Sequence, residues 1–284
     1  MIMKLKSKKA DIFVPNGADV DEALKRTTHL SIAAHQDDTE IFAYHGIAEC
    51  FGRSDKWFSS VIVTDGAGSP RTGVYKDYTD EQMKEIRLIE QRKAASIGDY
   101  SIQIQLAYPS SAVKDPAKKD LVEDLFAILA GSKPQMVYLH NTADKHDTHV
   151  ACALRAIEAL RSLPEKDRPA KVYGCEVWRN LDWLCDEEKA VLPASDYKNV
   201  AAALLGVFDS QITGGKRYDL AAIGRRLANA TFFASHETDK CDSLIFAMDL
   251  TPLVKDPNLS ITDYTLEAID RFKNDVKSRI NKFS

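Results

Sequence analysis

Residues 29–40, His-Leu-Ser-Ile-Ala-Ala-His-Gln-Asp-Asp-Thr-Glu, run from an apolar stretch into one histidine and three carboxylates. His35, Asp37, Asp38 and Glu40 crowd a single predicted strand tip. Carboxylates so close repel one another unless one takes up a proton or a cation joins them. His35 and Asp38, three residues apart across a turn, can converge on one ion and leave Asp37 free beside it. Mixed nitrogen and oxygen ligands of this kind suit zinc. The plain alternative is a solvated turn that is merely acidic.

A second cluster favours the metal. Residues 140–149 read His-Asn-Thr-Ala-Asp-Lys-His-Asp-Thr-His, directly after the apolar run Gln135-Met136-Val137-Tyr138-Leu139. His29, His35, His140, His146 and His149, five of the seven histidines, thus lie in or beside two strand ends. Val150, Ala153, Leu154, Ile157 and Leu160 follow helical spacing, with Asp147 or Thr148 as N-cap and Pro164 as the stop. His149 falls at the start of that helix and His146 in the loop before it. A lone histidine there is more often structural, but two such clusters after two parallel strands point to a shared ion.

His35-Gln36-Asp37-Asp38-Thr39-Glu40 resembles the Ala-His-Pro-Asp-Asp-x-Glu signature of the PIG-L/LmbE-type zinc-dependent N-acetylglucosaminyl deacetylases. His146-Asp147-Thr148-His149 resembles that family's His-Pro-Asp-His. Val63-Thr64-Asp65-Gly66 is similar to its second strand and loop, and Arg87-Leu88-Ile89-Glu90, followed by Ala94, Ala95 and Gly98, to its Arg-x-x-Glu helix. The resemblance spans residues 29–180. It implies that His35, Asp38 and His149 ligate Zn²⁺, that Asp37 is the general base, and that His146 stabilises the oxyanion and protonates the departing amine. Zinc can lower the pKa of a bound water to about 7 while polarising an acyl oxygen, which suits this division of labour.

The chain also departs from that pattern. Gln36 stands where proline is usual and is expected to loosen the turn. Thr148 stands where an aspartate would orient the first histidine of the second motif, so Asp144 or Asp147 is expected to take over that task. Ile41-Phe42-Ala43-Tyr44-His45-Gly46 replaces a run of small residues with a glycine pair, and His45 is read as structural.

These residues need a scaffold. Strands are expected near 29–35, 58–64, 102–108, 135–140 and 171–178. Helices are expected near 40–52, 80–98, 117–131, 148–163, 196–207, 215–230 and 262–281, with Ser243–Leu250 the better candidate for a further strand. This alternation predicts a Rossmann-like α/β fold, its mainly parallel sheet covered on both faces. Ligands then sit beyond the carboxyl ends of the strands. The whole chain reads as one metal-hydrolase domain, with a core over 25–180 and an α-rich extension over 185–284. The long loop 65–80 suits a substrate lid, and Arg71, Tyr75, Arg87 and Trp178 are the candidate substrate contacts.

Composition sets the outer limits. The 284 residues are 44% hydrophobic and 28% charged, as in a globular protein able to bury a core. A net charge of −4 leaves no basic footprint for nucleic acid. Lys4, Lys6, Lys8 and Lys9 run into Asp11 rather than an apolar segment, so no secretory signal is expected. No apolar run approaches the length of about 18 residues that a membrane span requires. Five cysteines without a Cys-x-x-Cys argue against a disulfide framework or a cysteine zinc site, and a cytoplasmic location is the default.

The reading is a zinc-dependent hydrolase removing an acyl group, acetyl first of all, from the nitrogen of an amino sugar or its conjugate, with a homo-oligomer left open. Its rivals are a metal-dependent hydratase or lyase acting on a small carboxylic acid, and a non-catalytic metal-containing sugar-binding protein. A nucleotide-binding fold is disfavoured because the turn after the first parallel strand is His-Gln-Asp-Asp rather than glycine-rich.

Overall fold

The computed structural model describes residues 4–284. Eight strands form one sheet: β1 (Asp11–Phe13), β2 (His29–Ala33), β3 (Phe58–Thr64), β4 (Ile102–Tyr108), β5 (Met136–His140), β6 (Lys171–Cys175), β7 (Lys189–Pro193) and β8 (Leu244–Asp249), in the order β1-β4-β3-β2-β5-β6-β8-β7. The central five are parallel, as the alternating pattern predicts. β1, β7 and β8 add antiparallel edges, so the sheet is mixed.

The apolar residues of the strands divide between two faces. Leu30, Ile32, Val61, Val63, Ile104 and Leu139 pack with the helices Asp120–Ser132 and Asp147–Arg161. Phe58, Ile62 and Tyr138 belong to the opposite cluster, with Tyr44, Ile47, Ala94 and Leu204. Burial on both faces is why the central strands read as continuous apolar runs rather than as alternating ones.

The chain leaves β2 for β3 on one side and returns to β5 on the other. That reversal opens a crevice between the carboxyl ends of β2 and β5. Register fixes the two ends level, with His29 beside Met136 and Ile32 beside Leu139. Both histidine clusters therefore emerge at the same place.

Two local outcomes differ from the sequence expectation. The helix expected over 40–52 is two, Asp38–Phe42 and Tyr44–Cys50, broken at Ala43 with φ −106°. Gly46 lies so close to Tyr138 that a Cβ there would come within 2.6 Å of the ring, which explains a glycine inside the second piece. In the C-terminal third β8 forms as anticipated, and β7, which was not anticipated, joins it at the sheet edge. β7 ends in Pro193, a residue tolerated at an edge, and is too short to show a period in sequence. No helix among the described residues is long and apolar enough to cross a membrane.

Candidate active site

The first turn is strained. Asp37 precedes the helix Asp38–Phe42 at φ 85°, a conformation uncommon outside glycine. Its surroundings hold it there. Arg87 donates to the Gln36 carbonyl at 2.7 Å and to the Ser69 hydroxyl, while the Asp37 N–H donates to Gln91 Oε1 at 3.3 Å. Gln36 does not loosen the turn as expected: its buried amide donates to Gln105 Oε1 at 3.1 Å and to the Thr64 carbonyl at 3.4 Å, tying the tip of β2 to its neighbours. Asp38 folds back to accept from the His35 N–H at 2.8 Å.

The second turn is organised by Asp144. One carboxylate oxygen accepts from the His146 N–H at 3.1 Å, and the other from the Trp178 N–H at 3.2 Å. That second oxygen also faces His149 Nδ1 at 3.5 Å. The orienting carboxylate therefore serves the ring of His149 and not that of His146, whose buried Nδ1 has no partner among the described residues. Asp147, the other candidate, lies exposed in the first helical turn.

Across the crevice the two turns meet. His35 Nδ1 is 3.1 Å from His149 Nε2 and 3.2 Å from Asp38 Oδ2, and His149 Nε2 is 3.3 Å from the same oxygen. A tetrahedral ion with bonds of about 2.0–2.1 Å would separate its ligand atoms by about this much. With its Nδ1–H on Asp144, His149 turns the Nε2 lone pair toward His35 and Asp38, an arrangement that lacks a proton and suits a cation. Two further combinations are close enough to share an ion: His35, His146 and His149, and Asp38, His140 and His149. His140 is the weaker ligand because its Nε2 already accepts the Ala34 N–H at 2.9 Å.

Electrostatics separate the two aspartates. Burial would raise the pKa of Asp38, yet His149 and His140 beside it hold it well below the usual carboxylate range. Burial drives Asp37 well above that range, opposed by Arg87 at 3.9 Å and reinforced by Asp38 and Glu40. Asp37 Oδ2 has no hydrogen-bond partner among the described residues. Burial also lowers His149 to about 4 and lowers His146.

Asp37, Asp38, His35 and His146 open into a cavity of about 700 Å³, within the range of small-molecule sites. Trp178 and Arg87 line it too. Arg71 and Tyr75 do not, which corrects their placement as substrate contacts. Arg71 is spent on the Tyr78 and Ala67 carbonyls at 2.7 and 2.8 Å, and the Tyr75 hydroxyl on Asp209 at 2.6 Å. These bonds pin the 65–80 loop to itself and to the C-terminal segment, so only 66–70 face the cavity. Arg87 and Glu90 are 4% and 3% exposed and hence no surface pair. Glu90 accepts from the backbone and hydroxyl of Ser210 at 2.7 and 2.6 Å.

The C-terminal segment supplies a wall that the motifs did not reveal: Gln211, Lys216, Tyr218, Arg225 and Arg226. Burial, then Asp37 and Asp38, raise the pKa of Tyr218, placing its hydroxyl in their field. The local signal was slight, a Gly214-Gly215 break before Lys216 and the helix Tyr218–Phe232. His45 is structural, its Nδ1 2.8 Å from the Pro193 carbonyl.

Residues 30–160 match the family model described as PIG-L, GlcNAc-PI de-N-acetylase, the family that the paired motifs resemble. A comparison with curated proteins finds no match. Among solved structures, the 4-carboxy-2-hydroxymuconate hydratase of Pseudomonas putida is similar at TM-score 0.60 and 20% identity, over 82% of this chain and 100% of that one. The N,N'-diacetylchitobiose deacetylase of Pyrococcus horikoshii is similar at 0.58 and 15%, over 78% and 83%. The A40926 pseudoaglycone deacetylase is similar at 0.55 and 15%, over 79% and 97%. At these identities the likeness is one of fold.

Proposed function

We propose that the protein is a zinc-dependent hydrolase that removes an acyl group, acetyl first of all, from the nitrogen of an amino sugar or its conjugate. The observation that carries this reading is the convergence of His35 Nδ1, Asp38 Oδ2 and His149 Nε2 within 3.1–3.3 Å of one another, beside Asp37 in a cavity. These three residues would hold the ion, which supplies Lewis acidity and a lowered water pKa when bound. Asp37 takes the proton from the attacking water. Asp37 lines the cavity and its buried Oδ2 has no hydrogen-bond partner among the described residues, which supports that role. His146, whose ring centroid lies 5.1 Å from that of His35, donates to the oxyanion and then to the leaving amine. Asp144 holds His149, and Arg87 holds the Asp37 turn. The PIG-L family match supports the reaction class. The five cysteines, all free, suit a reducing cytoplasm.

A metal-dependent hydratase is the second reading, favoured by the hydratase among the similar structures. Zinc-loaded protein is to be assayed for amine release from a panel of N-acetylated sugars, alongside loss of ultraviolet absorbance from unsaturated carboxylic acids. Amine release is the expected result. Absorbance loss without amine release would replace the hydrolase with the hydratase.

A further inference from the structure

The wall of the cavity carries a charge opposite to that of the protein. The chain as a whole is at −4, yet the cavity is lined by five lysine and arginine side chains, Arg87, Lys114, Lys216, Arg225 and Arg226, against three carboxylates, Asp37, Asp38 and Glu176. Two of the arginines are consumed by the fold. Arg87 braces the Asp37 turn, and Arg226, 4% exposed, donates to the Glu40 and Ile41 carbonyls at 2.6 and 3.0 Å. The other three are left without an ion-pair partner among the described residues. Neither Lys114, Lys216 nor Arg225 has a carboxylate within ion-pairing distance among the described residues; Arg225 spends one N–H on the Val177 carbonyl, and Lys216 rests on the Trp178 ring at 5.1 Å.

The carboxylates do not offset this. Asp38 faces His35, His140 and His149, and the Asp37 turn is held against Arg87. Glu176 accepts from Asn229 and from the Phe246 N–H at 3.1 Å; burial favours its neutral form, opposed by these bonds and by the charge of Arg225, so that at most Arg225 of the three is offset by it. An excess of unpaired cations inside a concave, low-dielectric wall focuses a positive field on the space where a ligand sits. A neutral sugar would leave that field unused.

We infer that the substrate carries an anionic oxyacid group, a carboxylate or a phosphate, apart from the bond that is cleaved, and that Lys114, Lys216 and Arg225 receive it. Trp178 lines the same wall, with Lys216 5.1 Å from its ring and the His146 ring stacked 6.2 Å away, and so joins the anion side of the cavity to the histidines. The inference rests on the hydrolase reading for the identity of the cleaved bond, but not for the binding of the anion.

The test uses zinc-loaded protein with N-acetylglucosamine, its 6-phosphate, and N-acetylmuramic acid as neutral, phosphate and carboxylate probes. At least one charged probe is expected to exceed the neutral one about tenfold in kcat/KM, and which one does so identifies the group. The Lys114→Ala, Lys216→Ala double variant is expected to lose about ten- to hundredfold on that probe, the worth of one or two charge-assisted hydrogen bonds. In the wild type the preference is expected to shrink as salt is raised, a readout that does not depend on the variant folding. Equal use of all three probes, or a preference untouched by both salt and substitution, overturns the inference. If no probe releases amine, titration calorimetry with the same three compounds decides separately. Tighter binding of a charged probe that weakens in the double variant sustains the anion site while the hydrolase reading falls, and equal binding of all three overturns both.

Discussion

The two turns that meet between β2 and β5 are built in opposite ways. The first places Asp37 in a strained backbone conformation and surrounds it with ties from Gln36, Arg87 and Gln91, so that its geometry is specified many times over. The second keeps ordinary backbone at His146, φ −94° and ψ 114°; Asn141 ties its start, and the histidine end rests on one buried carboxylate, Asp144, which receives two backbone N–H groups and faces the His149 ring. Chemistry in the first turn depends on one side chain held by a rigid backbone. In the second, the positions of the histidines depend chiefly on the Asp144 side chain holding the backbone. Substitutions in the two turns should therefore fail differently.

The largest effect is expected at Asp37. Asp37→Asn preserves shape and tolerates a positive φ, but cannot accept a proton. Turnover should fall by roughly 10²–10⁴-fold, the usual worth of a general base, with metal content unchanged. Parallel steady-state kinetics and metal analysis check this. Loss of metal together with activity would show that the first turn is no more robust than the second.

Asp144→Asn attacks the other turn. It removes the charge that fixes the His149 tautomer, and metal affinity should drop about 10–100-fold, measured by competition with a chelating dye. Asp147→Asn, at an exposed position that touches neither ring, should bind metal as the wild type does. A reversed ranking of the two variants would return the orienting role to Asp147.

The same contrast explains what could be read from the amino-acid sequence. Ligands and base are contiguous at strand tips, so His35, Asp37, Asp38, His146 and His149 were visible as two short clusters, and the buried parallel strands announced themselves as apolar runs. Orientation was not visible. Whether Asp144 turns to His146 or to His149 is decided by loop geometry, by Asn141 binding the Ala143 N–H at 2.8 Å and by the approach of Trp178, which spacing does not encode. Arg71 and Tyr75 had the right chemistry for a substrate loop, but the loop spends them on its own carbonyls and on Asp209. The C-terminal wall was hidden for another reason. Lys216, Tyr218 and Arg225 occupy an ordinary amphipathic stretch, and only the folding of the extension back over β8 and the Asp80–Ile97 helix brings them to the cavity.

The central claim is that His35, Asp38 and His149 together hold one ion that the chemistry needs. Elemental analysis of wild-type protein and His149→Ala, with amine release measured on the same preparations and folding checked by circular dichroism, tests it most directly. The account predicts about one zinc per chain and activity in the wild type, as expected for a site with three protein ligands, and neither in a folded His149→Ala. Stoichiometric zinc retained by the folded variant, or an active wild type that holds no metal, would contradict it.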